Sequence, residues 1–314
     1  MLKKIFCTFL ALLLSVTALG GCEKRMDGSG FDIVCSVFPI YDWTKEITDS
    51  AEGVSASLIV DSGTDTHSYN ATTADIVMIS EADLLVYVGG ESDEWIERVL
   101  ENLGDKAPKT LKLLELVCDE GGEDGHSHDG HDHGAYDEHV WLSLKNAETL
   151  VFAIADAVAE ACPAVNDTVK SNAERYAKEI KALDGELEAA ITTAERKTML
   201  FADRFPFKYL TEDYGIEYFA AFSGCSADSE ASFETVATLA SVLDEKSLPY
   251  VIVLESSDKK LAETVISTSK GKSAEILVLD SIQSISKSEI ERGAKYIDIM
   301  KSNAETIKTA LGCE

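Results

Sequence analysis

Residues 166–196 read NDTVKSNAERYAKEIKALDGELEAAITTAER. Apolar side chains fall at Val169, Ala173, Tyr176, Ile180, Leu183, Leu187 and Ala190 or Ile191. The steps are three or four residues throughout, which is the spacing of one helix face. Asn166 is placed to cap the helix, and Pro163 stands just ahead of it. Gly185 is a mild blemish costing roughly 1 kcal/mol against Ala. A helix of about 30 residues is roughly 45 Å long, which suits a strut between two lobes. The competing reading is a coiled-coil dimer seam, and the stripe is too short and too Ala-rich to favour it.

Working outward from the strut, β-branched and aliphatic runs at 32–38, 54–60, 84–88, 110–117, 198–202, 250–254 and 275–279 read as strands covered on both faces. Helical patterns lie between them at 41–51, 72–81, 95–102, 146–160, 234–245 and 259–269. Alternation of this kind predicts α/β lobes with mainly parallel sheets on either side of the long helix. The expected organisation is a signal segment over 1–21, a tether over 22–31, an N-terminal lobe over 32–165, the linking helix over 166–196 and a C-terminal lobe over 197–314.

The N-terminus carries Lys3 and Lys4, then an apolar run from Ile5 to Leu19, then Gly20, Gly21 and Cys22. The run is too short for a comfortable membrane span and reads as an export signal. Leu19-Gly20-Gly21-Cys22 resembles a bacterial lipobox, which makes Cys22 the lipidated residue. Asp and Glu number 56 against 28 Lys and Arg, for a net charge of -28; without Lys3 and Lys4 it is -30. A chain this acidic argues against nucleic acid or anionic lipid as partners. Seven cysteines include no CxxC pair, so a thiolate zinc cluster is disfavoured. Cys35, inside a strand-like run, reads as buried.

The six histidines occupy two places. His67 lies in Gly63-Thr64-Asp65-Thr66-His67-Ser68-Tyr69, just past a strand. The other five, His126, His128, His131, His133 and His139, fall within fourteen residues. Packing or solubility would scatter histidines, whereas metal handling gathers them. His126 to His133 belong to the low-complexity acidic segment 119–136, which reads as a mobile loop. His139 belongs to Asp137-Glu138-His139-Val140-Trp141-Leu142, and Asp280 follows the last strand. Two imidazoles and a carboxylate suit zinc or manganese. Taken singly, His67 has a bland surface reading, and Asp280 has a bland reading as a helix cap.

Three stretches carry a family resemblance. DEHVWLS (137–143) is similar to an Asp-Pro-His-Val-Trp-Leu-Asp signature, TDTHSYNAT (64–72) to a first-histidine loop, and VLDSI (278–282) to a fourth-ligand region. The pattern resembles the cluster A-I metal-binding lipoproteins, the solute-binding components of bacterial ABC importers for zinc and manganese. The resemblance covers the chain from about Asp32 to its end. It implies two α/β lobes joined by one long rigid helix, with the metal in the cleft between them. It also implies His67, His139 and Asp280 as ligands, Zn2+ (or Mn2+) as cargo, an ABC permease with its ATPase as partners, and a monomer anchored outside the cytoplasm by lipid.

One position departs from the family pattern. The third ligand, a His or Glu, precedes an aromatic-Tyr-x4-Tyr-Gly pattern, and here that position is Arg204, whose guanidinium stays protonated and cannot ligate. Asp203, water or a histidine of the 119–136 loop would then complete the shell, or the site is degraded. Arg204 itself is expected to pair with Asp280 or Asp203. Glu255, ending another strand, reads as structural. The expected function is capture of Zn2+ and its delivery to a permease, without catalysis. The competing classes are a manganese receptor, a zinc hydrolase, and a surface metal store or adhesin. HSHDGHDH (126–133) superficially matches a metallohydrolase motif, but Gly130 stands where that motif needs Asp.

Overall fold

The computed structural model describes residues 30–117, 137–222, 224 and 231–313. The signal segment, Cys22, the tether as far as residue 29, Cys118, Cys225 and the 119–136 segment with His126, His128, His131 and His133 lie outside the described residues.

The N-terminal lobe runs β1 (Phe31–Cys35), α1 (Phe38–Ile47), β2 (Val54–Leu58), α2 (Thr73–Glu81), β3 (Leu84–Tyr87), α3 (Glu94–Leu103), β4 (Lys109–Lys112) and α4 (Leu144–Ala161). After α5 (Asn166–Thr192) the second lobe runs β5 (Thr198–Phe201), α6 (Lys208–Asp213), β6 (Glu217–Ala220), α7 (Phe233–Glu245), β7 (Tyr250–Leu254), α8 (Lys260–Thr268), β8 (Glu275–Leu279), α9 (Lys287–Glu291) and α10 (Tyr296–Leu311).

Each lobe holds one four-stranded sheet, ordered β2-β1-β3-β4 in the first and β6-β5-β7-β8 in the second. Every strand pair is parallel. Parallel neighbours need crossover helices, which cover both faces, so the central strands are apolar without alternation. Leu84–Tyr87 and Thr198–Phe201 are buried at every residue. In both sheets the strand order reverses beside the first strand of the lobe. Crevices at such switch points, outside the carboxyl ends of the strands, are where open α/β sheets bind ligands.

Helix α5 spans 27 residues, about 40 Å. Its stripe of Val169, Ala173, Tyr176, Ala177, Ile180, Leu183, Leu187 and Ile191 is buried, and Ile191 rather than Ala190 closes it. Asn166 does not cap the helix: it is the first helical residue, and its amide donates to Asp167 instead. A 3-10 turn at Pro163–Val165 leads the chain in. A single apolar core runs from β1 through α1, α4, α5 and α10 to β5, β7 and β8, so the two lobes share their packing.

The strand expected over 110–117 breaks at Lys112 and continues as a 3-10 turn, Leu114–Leu116. Strand β6 and helices α6, α9 and α10 come in addition to the elements expected from the sequence. No helix among the described residues is long and apolar enough to cross a membrane.

Candidate metal centre

His67 sits in a one-turn 3-10 segment, Thr66–Ser68, past the end of β2. Asp65 caps that turn: its Oδ1 accepts from the His67 N–H at 3.0 Å. His139 begins a second such turn, Val140–Leu142, which leads into α4. Asp137 plays the same part there, its Oδ1 accepting from the His139 N–H at 2.8 Å. A short carboxylate two residues upstream holds a tight turn through the histidine's own amide in each case, and both histidines are presented in the same local way.

The two turns bring the imidazoles together. Nε2 of His67 lies 3.2 Å from Nε2 of His139. The opposite nitrogens face oxygens. Nδ1 of His139 is 2.8 Å from Asp137 Oδ1. Nδ1 of His67 is 3.0 Å from Ser92 Oγ and 3.2 Å from Glu138 Oε1. His67, Glu138 and His139 form a group whose ligand atoms all lie within 4.8 Å of one another. His139 and Glu138 are buried, and His67 is nearly so.

Acidic groups surround this pair. Among the described residues, the ion pairs of Asp137 and Glu138 are with imidazoles alone. Asp93, behind Ser92, takes the N–H groups of Val88 and Gly89 at 2.8 and 3.0 Å. Burial pushes its carboxyl up to about 6, the Gly89 amide works against that, and the Glu138 charge adds to it.

The second lobe frames the histidine turns. Tyr209 OH donates to the Asp137 carbonyl at 2.8 Å, and the Trp141 indole N–H to the Ser281 carbonyl at 3.0 Å. Tyr296 OH donates to the Trp141 carbonyl at 2.7 Å. Arg204, past β5, meets Asp65 with Nη1–Oδ2 at 2.7 Å. The expectation that Arg204 pairs with Asp203 or Asp280 is therefore corrected. Asp203 is occupied differently, accepting from the N–H groups of Arg204 and Leu254. Asp65 stands free to take the guanidinium because its cap uses only Oδ1.

Asp280 lies past β8 and is outside the His67–Glu138–His139 group. Its Oδ1 accepts from the Ile282 N–H at 2.8 Å, the same two-residue pattern as at Asp65 and Asp137. Burial pushes its carboxyl up to about 6, and Glu255 adds to that. Glu255 holds Ser281 by two hydrogen bonds, at 2.8 Å to its N–H and 2.7 Å to its hydroxyl, a structural role that fits the reading of that residue. Cys35 is buried, which pushes its thiol up to about 12 and leaves it inert. Glu138 and Ser92 were not singled out from the sequence. Glu138 adjoins His139 in a recognisable stretch, but Ser92 carries no signal of its own.

Two parallel-sheet α/β lobes joined by a long helix are the architecture of a solute-binding protein. The chain belongs to the ZnuA family, described as zinc-uptake complex component A, periplasmic, whose family model matches residues 33–310. Zinc-binding lipoprotein AdcA of Streptococcus pneumoniae is 29% identical over 98% of this chain and 61% of its own length. The chain thus spans about three fifths of that relative. High-affinity zinc uptake system protein ZnuA of Bacillus subtilis is 29% identical over 96% of this chain and 95% of its own length. Among solved structures, the Zn(II)-bound ZnuA-like domain of S. pneumoniae AdcA superposes with a TM-score of 0.73 at 26% identity, covering 90% of this chain and 99% of that one.

Proposed function

We propose that this protein is the extracytoplasmic receptor of an ABC importer, capturing Zn2+ between its lobes and delivering it to a membrane permease. The observation that carries the reading is the facing pair of imidazoles. Zinc bound at about 2.0–2.1 Å by two tetrahedral nitrogens holds them about 3.3 Å apart, and the Nε2 atoms of His67 and His139 stand at 3.2 Å. Both Nδ1 atoms are turned to oxygen acceptors, so both Nε2 atoms offer lone pairs to one point. Two lone pairs at that distance repel unless a proton or a metal ion lies between them, and zinc competes with the proton for that place.

His67 and His139 are the ligands in this reading. Asp280 is a third, carried by the resemblance, and water is expected to complete the shell because Arg204 is engaged with Asp65. Asp203 is the alternative to water: its two oxygens accept the N–H groups of Arg204 and Leu254, and each keeps a second lone pair. His126, His128, His131 and His133 serve as an auxiliary collecting segment. Cys22 carries the lipid anchor, and the protein acts as a monomer. No bond is made or broken.

The test is a competition titration with Zn2+ and Mn2+ on protein lacking residues 1–22, with and without residues 119–136. One tight zinc site, retained without the segment and lost in both His67→Ala and His139→Ala, is the expected result. Tighter retention of Mn2+ would make the cargo manganese. Loss of the tight site on removing 119–136 would mean either that a histidine of that segment completes the shell left open at Arg204, a site still lost in His67→Ala, or, if binding in the intact protein survives His67→Ala, that the protein is a histidine-rich store, which would sink the receptor reading.

A further inference from the structure

We infer that Glu138 is a positioning residue of the ion site, fixing the His67 imidazole so that Nε2 is the atom offered to the ion. The inference deepens the zinc reading and rests on it. Glu138 is 7% exposed, and both its oxygens are engaged. Oε2 accepts from the Ser92 N–H at 2.9 Å, and Oε1 from the Ser92 hydroxyl at 2.7 Å. That hydroxyl has one hydrogen, and the shorter contact uses it. Toward His67 Nδ1, therefore, Ser92 Oγ at 3.0 Å and Glu138 Oε1 at 3.2 Å both present lone pairs. Nδ1 must supply the hydrogen, which leaves Nε2 as the ligand atom of the neutral ring.

The carboxylate is built in. A Cβ placed on Gly90 would lie 2.3 Å from Glu138 Oε2 and 2.6 Å from its Cβ, so the absence of a side chain at 90 makes the room that Glu138 occupies. Glu138 also links the two histidine motifs: it neighbours His139 in sequence and touches His67, 71 positions away along the chain. Asp137 does for His139 what Glu138 does for His67. Consecutive carboxylates thus orient both rings, and each adds negative charge one ring away from the ion. A carboxylate bonded to the far nitrogen of a ligating imidazole makes the ring more basic, and its loss weakens metal binding about 10–100-fold.

The experiment uses the whole protein and zinc alone. Imidazole 15N spectra of the zinc-loaded protein, tractable with six histidines, should show His67 protonated at Nδ1 and metal-bound at Nε2. Zinc competition should then show Glu138→Gln and Glu138→Ala weakened about 10–100-fold with one-site stoichiometry kept, and Glu138→Asp intermediate. Coordination through Nδ1, a directly ligated Glu138 carboxylate, or wild-type affinity in Glu138→Gln would overturn the inference. Should a variant fail to fold, the wild-type spectrum decides alone. Wild-type protein without a tight zinc site would sink the receptor reading; the Nδ1 proton of His67 in the zinc-free spectrum would still decide the role of Glu138.

Discussion

Gly90 shows how much one missing methyl governs at this site. In Gly90→Ala the new Cβ must displace the Glu138 carboxylate, and relief through backbone shift costs about 1–3 kcal/mol. Lower thermal stability together with weaker zinc binding is the expected outcome, and an unperturbed titration would contradict the close approach. A second residue, Asp42, makes part of the stability depend on pH. Its Oδ2 accepts from the Tyr296 N–H at 2.9 Å and lies 3.5 Å from Tyr176 OH. Burial pushes the carboxyl up to about 6, with the Tyr296 amide and Lys295 pulling it back and Glu46 adding to the rise. The folded protein therefore keeps a proton that the unfolded chain has lost above about pH 4, so this group's contribution to stability falls as pH rises from about 4 to about 6 and is then constant. The loss is on the order of 2–3 kcal/mol. Asp42→Asn should flatten that slope in denaturant melts taken across the window. At this scale the sequence was informative where a residue type was confined: the Asp-x-His triplets at 65–67 and 137–139 carry both the facing imidazole and the carboxylate that holds its turn. The partnership of Glu138 with Ser92 was illegible, because it joins residues 46 positions apart through a fold that local pattern does not encode.

The linking helix offers the cleanest test among the elements. Gly185 lies exposed within α5, and a Cβ there would meet nothing within 4 Å. Gly185→Ala should raise stability by about 0.5–1 kcal/mol with zinc affinity unchanged; a loss of stability in urea melts would mean that the helix bends at this point. The Arg204–Asp65 pair belongs to the same scale, since it ties the His67 turn of one lobe to the end of β5 in the other. Arg204→Gln should loosen that turn, speeding zinc release about fivefold for about 1 kcal/mol lost, and stopped-flow chelation would measure it. The strut was readable because its stripe is long and strictly spaced. Helix α10 has a comparable stripe, with Tyr296, Ile297, Met300, Ala304, Ile307 and Leu311 buried, but the polar Asn303 interrupts it. That asparagine is buried because it serves Asp280, accepting from its N–H and donating to its carbonyl. Strand β6 has only four residues, two of them exposed, which leaves little periodicity to read.

Across the whole molecule, the shared core predicts a single cooperative unfolding transition, because neither lobe can lose its packing without exposing the other's. Zinc at about 100 times its dissociation constant should add about 2.7 kcal/mol. A chelator should return the melting temperature to its metal-free value, and two separate transitions in calorimetry would show that the lobes unfold independently. The α/β class was legible at this scale from alternation, and the two-lobed plan from chain length and the long helical strut. How the lobes close on each other was not, since it depends on cross-lobe contacts such as Tyr296 to Trp141 and Lys287 to Asp61. One of those contacts has an optical side. The Trp141 ring stands 5.2 Å from that of His139, edge-on, with its indole N–H fixed to Ser281. Trp43 and Trp95 make up the rest of the three tryptophans. Protein emission should therefore shift as zinc arrives, and that zinc-dependent shift should be lost in Trp141→Phe although Trp43 and Trp95 still emit, so that the protein reports its own loading without an added dye.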